Sequence, residues 1–448
     1  ADRGMLNDAI RVLLRLLVER PNDAGVRRSL AQAVSEPGRL DLLFQELTGD
    51  AQTDPALAFL ATCVKDHGAV DAAIVLFVKA HSLVPANPSY VLNLMHTYEL
   101  KQQFQECIAL AVDFYAHCSP ALELAGVQLE QIKAAVLELP DVPDGPYSWL
   151  PTQDLAAPYA ILPAPEPASK VTYSSEALDA LAVCMTTVKV LFVGGALPLA
   201  ARITSLLQPA IRASEKALHT TLIRNEAAYL GCVQQLLEDA HAPRPSAIDS
   251  LRPLFLAGDS HSLSGAWQEV SLRGEKRLLV PRLVTGCKIW HIRPESVFYP
   301  KVAFQSTMDS LPDDAQVVML FGEIDCREGL LLAEEKCKYD SLEEGINATV
   351  DIYLGVLRRL VGRGMELFVH PVPPVLNETR HVVMPFNAAL RRAILSASKE
   401  AGMVGSLHWL DFLDELLTPD KSKLEPSLEF DGTHMSPSYV RHLAAQLA

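Results

Sequence analysis

From Leu254 onward, short unbroken apolar runs alternate with stretches of helical periodicity. The runs are "PLFLAG" (253–258), "KRLLVPRLVTG" (276–286), "QVVMLFG" (316–322) and "MELFVHPVPP" (365–374). A strand that is apolar on both faces is buried on both, so such runs with helices between them predict a mostly parallel sheet covered on each side. Sites in these sheets form beyond the carboxyl ends of the strands. Gly258, Gly322 and His370 all emerge there.

The first third of the chain has helical periodicity throughout. In "DAAIVLFVKAHSLVPANPSY", Ala73, Phe77, Ala80 and Pro85 form a pattern of small, large and small residues closed by a helix-ending proline. The same offsets recur at Ala9, Leu13, Leu16 and Pro21, and Pro55 and Pro88 follow Pro21 at steps of 34 and 33 residues. Residues 1–120 therefore resemble a short tetratricopeptide array, whose helix pairs hide their apolar faces only by stacking on their neighbours. The resemblance implies a concave face able to hold a protein or peptide partner, and Asn93 and His96 are the residues assigned to that face.

Four segments follow from these patterns. Residues 1–138 are expected to be the tetratricopeptide-like domain, and 139–170 a linker whose many prolines exclude a helix or central strand. In that linker Tyr147, Trp149, Leu150 and Tyr159 are candidates for pinning it to a surface. Residues 171–245 read as strand, Gly194-Gly195 turn, helix, strand, helix, a small α/β module without a phosphate-binding glycine pattern. Residues 246–448 are the sheet-bearing domain.

Composition narrows the function classes. A length of 448 residues suits several domains, and 49% hydrophobic with 21% charged residues is ordinary for a folded protein. A net charge of -15 repels phosphate backbones and anionic lipid, and no basic patch offsets it, so neither nucleic acid nor membrane is an expected partner. The eight cysteines are scattered without a paired spacing, which predicts reduced thiols. No signal-peptide pattern opens the chain, and a chain starting at Ala1 can have lost a targeting segment, so the cytoplasm is the default expectation.

The candidate chemistry lies in four short stretches: "GDSHS" (258–262), "TGCKIWHI" (285–292), "FGEIDCRE" (321–328) and "DGTHMSP" (431–437). A serine hydroxyl becomes a nucleophile when an imidazole takes its proton and a carboxylate fixes that imidazole's tautomer. Ser260, His434 and Asp431 supply those three residue types, and Asp431 and His434, three apart in a glycine-containing turn, suit one base unit. "GDSHS" misses the GxSxG nucleophile elbow, because Ser262 stands where the second glycine belongs.

These stretches resemble the SGNH (GDSL-type) hydrolase family over about residues 252–448. The resemblance implies a flavodoxin-like three-layer α/β/α fold and cleavage or transfer of acyl esters. It implies Ser260 as nucleophile, His434 as base, Asp431 as its orienter, and the N–H groups of Ser260 and Gly286 as oxyanion donors. The third block departs from the family pattern, since Gly322-Glu323-Ile324-Asp325 puts isoleucine where an asparagine donor is usual. Losing one such donor costs on the order of 10²–10³ in rate. Glu323 and Asp325 would also oppose a developing anion, unless Arg327 neutralises one of them by a bidentate pair or reaches the oxyanion. "GEIDCR" is similar to a divergent branch of the superfamily found beside helical-repeat and sugar-modifying modules.

The expected activity is thus a serine esterase acting on an acylated small molecule or carbohydrate, with an O-acyltransferase or a silent domain in a repeat scaffold as alternatives. His261 is either a substrate contact or a histidine satisfied by a backbone carbonyl. His291, His370, Cys287 and Cys326 are expected to pack rather than react. A cation site from Glu323, Asp325 and Asp259 would have Arg327 as an unfavourable neighbour, so no metal and no cofactor is expected.

Overall fold

The structure, a computed structural model, describes residues 3–20, 23–34, 54–118, 124–138, 159–241, 251–336 and 338–448. A helical region fills the first half and an α/β region the second. Helices Arg3–Glu19 and Ala24–Val34, then Asp54–Asp66 and Val70–Leu83, then Pro88–Leu100 and Phe104–His117 pack as successive neighbours, with Leu129–Val136 following. In Val70–Leu83 the buried positions include Ala73, Phe77 and Ala80, as their spacing predicts, and Pro85 lies just beyond the helix. In Arg3–Glu19 the buried face is Ile10, Leu14 and Leu17, one residue away from the predicted Ala9, Leu13 and Leu16. Burying the three larger side chains removes more apolar surface from water than the predicted set with its alanine would.

Residues 171–245 are helical, not α/β: helices Ser175–Val193, Leu197–Ala213 and Arg224–Glu238 account for most of the segment. The predicted strand "VKVLFV" is the last part of the first of these. All of Leu181–Val193 is buried, so the helix shows no polar stripe, and an apolar run of that kind cannot be told from a buried strand by periodicity. Ser174 caps its start by accepting from the Ala177 amide, and the Gly194-Gly195 turn ends it.

Part of the proline-rich linker is described, residues 159–170, and it has neither helix nor extended strand. The Leu162 amide donates to Ser205 Oγ at 2.8 Å, and Tyr159 packs on the core. Tyr147, Trp149 and Leu150 lie outside the described residues.

The sheet contains β1 (Arg252–Gly258), β2 (Glu269–Leu272), β3 (Glu275–Leu283), β4 (Gln316–Leu320), β5 (Glu366–Val369) and β6 (Leu407–Trp409). Their order is β2-β3-β1-β4-β5-β6, with β2 antiparallel on the edge and the other five parallel. Counting only the parallel strands, the order is 2-1-3-4-5, a doubly wound sheet whose order reverses between β1 and β4. Alternate residues enter different cores. Phe255, Val280, Val317 and Leu367 join an apolar core continuous with the helical region, whereas Leu254, Leu279, Val318 and Phe368 pack with Leu443 and Leu447 of the last helix, Val440–Leu447.

The helical and α/β regions therefore share one core, and the boundary drawn at residue 245 separates no independent cores. Trp267, fully buried beside β2, donates its indole N–H to the Phe192 carbonyl at 2.8 Å and so ties helix Ser175–Val193 to the sheet. The seven cysteines among the described residues are free thiols. No helix among those residues is long and apolar enough to cross a membrane.

Candidate active site

Strand β1 delivers the first stretch to the point where the strand order reverses. Gly258 is required there, because a Cβ on it would sit 2.4 Å from the Leu320 carbonyl oxygen of the neighbouring β4. The chain then turns into a short 3-10 segment, Ser260–Gly265, that Asp259 caps by accepting from the His261 amide at 3.0 Å. Ser262 is a turn residue whose hydroxyl donates to the Asp259 carbonyl at 2.7 Å. Ser260 is half-buried and faces a cavity of about 830 Å³.

His434 arrives from the far end of the chain. Its Nε2 lies 2.8 Å from Ser260 Oγ, and its Nδ1 lies 2.7 Å from Asp431 Oδ2. Asp431 Oδ1 accepts from the amides of Thr433 at 2.9 Å and His434 at 2.7 Å, so the turn fixes the carboxylate while the carboxylate fixes the imidazole. Burial pushes the Asp431 carboxyl up, but the His434 hydrogen bond and charge and the two amides outweigh it, holding its pKa at about 2. Nδ1–H thus donates to a carboxylate, which leaves Nε2 free to accept the serine proton.

Gly286, after β3, has φ +65° and lines the cavity, and a Cβ there would point into open space. Among the described residues, neither its N–H nor that of Ser260 donates to a protein acceptor. Ile324 occupies the third-block position on the cavity wall, 9% exposed, and its side chain offers no hydrogen.

The other predicted contacts are redistributed. Asp325 is buried off the cavity wall, with its oxygens accepting from the Ile289 amide at 2.7 Å and the Trp290 amide at 3.1 Å. It anchors the loop after Gly286 instead of meeting substrate. Burial raises its pKa to about 7 against the pull of those two amides. Glu323 is also buried off the wall, and burial pushes its carboxyl upward while His261 and Arg327 pull it down. Arg327 does line the cavity, but its Nε lies 3.5 Å from Glu323 Oε2 one helical turn away and neither atom has a hydrogen-bond partner, so the expected bidentate fork is not formed.

His261 is fully buried and no substrate contact. Its Nδ1 lies 2.9 Å from Asp259 Oδ1 and its Nε2 3.0 Å from the Thr433 carbonyl oxygen. A carbonyl and a carboxylate both accept, so both ring nitrogens carry hydrogen and the ring is an imidazolium. Burial pushes its pKa down, yet Asp259, then Glu323 and the Thr433 carbonyl, raise it to about 9. His370 and His291 pack as expected: His370 lies edge-on to Phe412 and Tyr439, His291 edge-on to Phe298, and burial lowers each to about 4. Burial likewise pushes the Cys287 and Cys326 thiols well above their ordinary value.

Sequence reasoning missed the opposite wall. Lys65, His96, Glu99, Lys189, Asn225, Glu226 and Tyr229, all from the helical region, line the same cavity as Ser260. His96, assigned to an external partner face, instead sits against Thr186 and Glu226 inside the molecule. Cys232 is there too, with Asp431 and His434 ligand atoms within 4.8 Å of it and of one another. Those Asp431 and His434 atoms are engaged in the hydrogen bonds above, and burial, then the Asp431 charge, pushes the Cys232 thiol well above its ordinary value.

No protein-family model, curated protein or solved structure matches the chain.

Proposed function

We propose that the protein is a serine-dependent acyl ester hydrolase of the SGNH type, with its catalytic region in residues 246–448 and a tetratricopeptide-like array in residues 1–138. The observation that carries the reading is the continuous chain from Asp431 through His434 to Ser260, with links of 2.7 and 2.8 Å, on a wall of a large cavity at the strand-order reversal. The helical array is supported by the buried Ala73, Phe77 and Ala80 and the proline that follows them.

In this mechanism Ser260 Oγ attacks the ester carbonyl while its proton passes to His434 Nε2. The imidazolium that forms is held by Asp431. The carbonyl oxygen becomes an oxyanion that the Ser260 and Gly286 N–H groups are available to meet. Collapse of the tetrahedral intermediate breaks the bond to the alkoxy oxygen, which leaves as the alcohol with the proton from His434. Water then gives a proton to His434, attacks the acyl-serine, and releases the acid. If an alcohol takes the place of that water the same steps make an ester, and a cavity of about 830 Å³ has room for such an acceptor.

Labelling with a fluorophosphonate, followed by peptide mapping, tests the proposal. Modification of Ser260 that vanishes in His434→Ala is the expected result, and absence of labelling in the folded protein overturns it.

A further inference from the structure

Cys232 has no role in the steps above, yet it stands beside the residues that carry them. It is buried on helix Arg224–Glu238 and lines the same cavity as Ser260, Asp431 and His434. One ligand atom from each of Cys232, Asp431 and His434 lies within 4.8 Å of the other two. Other buried thiols are satisfied: Cys107 Sγ donates to the Met95 carbonyl at 3.2 Å, and Cys287 Sγ to the Lys288 carbonyl at 3.5 Å. Among the described residues Cys232 Sγ makes no hydrogen bond.

We propose that Cys232, Asp431 and His434 form a binding site for a zinc ion, and that zinc held there switches the serine chemistry off. The metal site stands on its three ligands alone, and its effect on catalysis rests on the esterase reading.

The donor set selects the ion. Zinc takes thiolate, imidazole and carboxylate in a tetrahedron, at about 2.3 Å to sulfur and about 2.0–2.1 Å to nitrogen or oxygen, which gives edges of about 3.3–3.6 Å. Atoms within 4.8 Å of one another need to close by about 1.5 Å at most to reach those edges, a movement that side-chain rotation supplies. The thiolate and the carboxylate together carry two negative charges, so the complex with a dication is neutral. Magnesium and calcium bind through oxygen and gain nothing from sulfur. Asp431 is also held as a ligand should be: its Oδ1 accepts from the Thr433 and His434 amides, which leaves Oδ2 to bind. Three protein ligands leave the fourth position to water from the cavity.

Zinc binding and catalysis exclude each other. The thiol proton of Cys232 passes to solvent as the metal binds. Whichever nitrogen of His434 the ion takes, none remains to accept the proton of Ser260. Bound through Nε2, the ring has its lone pair on the metal; bound through Nδ1, the neutral ring carries its hydrogen on Nε2. Ser260 Oγ, 2.8 Å from that Nε2, then has no base.

The test titrates the full chain with cobalt(II), a spectroscopic stand-in for zinc, and then with zinc itself. Cobalt is expected to bind at one equivalent with a near-ultraviolet thiolate-to-cobalt band that is absent from folded Cys232→Ala, and with at least tenfold weaker affinity in His434→Ala. Zinc in slight excess is expected to cut p-nitrophenyl acetate hydrolysis by the wild-type protein at least tenfold, with EDTA restoring the rate and magnesium leaving it unchanged. Each variant is compared with itself, and in Cys232→Ala the rates with and without zinc should agree within twofold. Melting temperatures establish folding, and Cys232→Ser, whose oxygen is the poorer zinc ligand, serves the same comparison where the alanine variant does not fold. No thiolate band in the wild-type protein, stimulation by zinc, or equal inhibition of wild type and variant overturns the proposal. The cobalt band needs no turnover, so its loss in Cys232→Ala supports the metal site even if Ser260 proves unreactive. Absence of the band from a protein that the fluorophosphonate labels removes the metal site and leaves the esterase standing.

Discussion

His261 Nε2 and the carbonyl oxygen of Thr433 lie 3.0 Å apart, so the residue after Ser260 is fastened to the residue before His434. With Asp259 on its other nitrogen, this buried ring closes a second Asp-His pair directly beneath the first, and the His261 and His434 ring centres are 4.9 Å apart. The pair joins the end of β1 to the 431–434 turn, which are 172 residues apart in the chain. It is a positioning device for the Ser260–His434 contact.

Replacing His261 by Phe leaves the Asp259 carboxylate buried without its partner and frees the Thr433 carbonyl. We expect kcat/KM to fall about 10–100-fold, as for loss of other supports that fix a catalytic geometry, while the surviving activity still requires Ser260. The charge gives a second readout. His261 is raised in the folded state to about 9, so its contribution to stability is full below the unfolded value near 6.5 and disappears as pH rises through about 9. Wild-type melting temperature should therefore drop across that window more than that of His261→Phe; parallel curves would show that the ring is not charged.

Asp431 carries the opposite sign. Its lowered carboxyl contributes stability above the unfolded value near 3.8, and that contribution is lost as pH falls through about 2. Around neutral pH it is fully ionised, so Asp431→Asn tests orientation and charge together. The asparagine can hold the imidazole in the tautomer that donates to Ser260 instead of accepting from it, and kcat/KM should fall by about 10³–10⁴. Steady-state hydrolysis of p-nitrophenyl acetate measures it, and a loss below tenfold would remove Asp431 from the catalytic chain.

Ile324 stands on the cavity wall where an amide donor is absent. Restoring one by Ile324→Asn should raise kcat at least tenfold with little change in KM, because an oxyanion donor acts on the transition state and not on the bound ester. The substitution exchanges an apolar side chain only 9% exposed for a polar one, so a lower melting temperature accompanies the gain. An unchanged or lower kcat in the folded variant would mean that the Ile324 side chain packs on the acyl group and that the two backbone N–H groups suffice.

The parts of this arrangement legible in the sequence were those with strong local chemistry. The strands β1, β3, β4 and β5 announce themselves as apolar runs, whereas β2, an edge strand, alternates half-buried and buried positions and offers no such run, and β6 is only three residues long. Ser260, Asp431 and His434 stood out because glycine, aspartate, serine and histidine fall together in two short turns, and the fold brings those turns within a hydrogen bond. Asp325 and Glu323 were misplaced because their spacing gives residue type without direction. Only the three-dimensional course of the loop shows the Asp325 carboxylate turned to the Ile289 and Trp290 amides. The helical wall left no signal at all: His96, Lys189 and Glu226 are singly unremarkable and meet only by packing of distant helices.

That packing makes the last prediction. Trp267 is 1% exposed, and its indole N–H meets the Phe192 carbonyl at 2.8 Å, across the join between the helices and the sheet. Trp267→Phe removes the donor, leaves a buried carbonyl unmet and shortens the side chain, a loss of about 1–3 kcal/mol from the hydrogen bond alone. Because Phe192 and Trp267 belong to one apolar core, the loss should appear as a shift of a single urea transition followed by far-UV circular dichroism and by the fluorescence of the remaining tryptophans. Two separated transitions, with only the later one moved, would mean that the helices unfold independently of the sheet. The cavity wall they provide would then be a dockable part rather than a fixed half of the site.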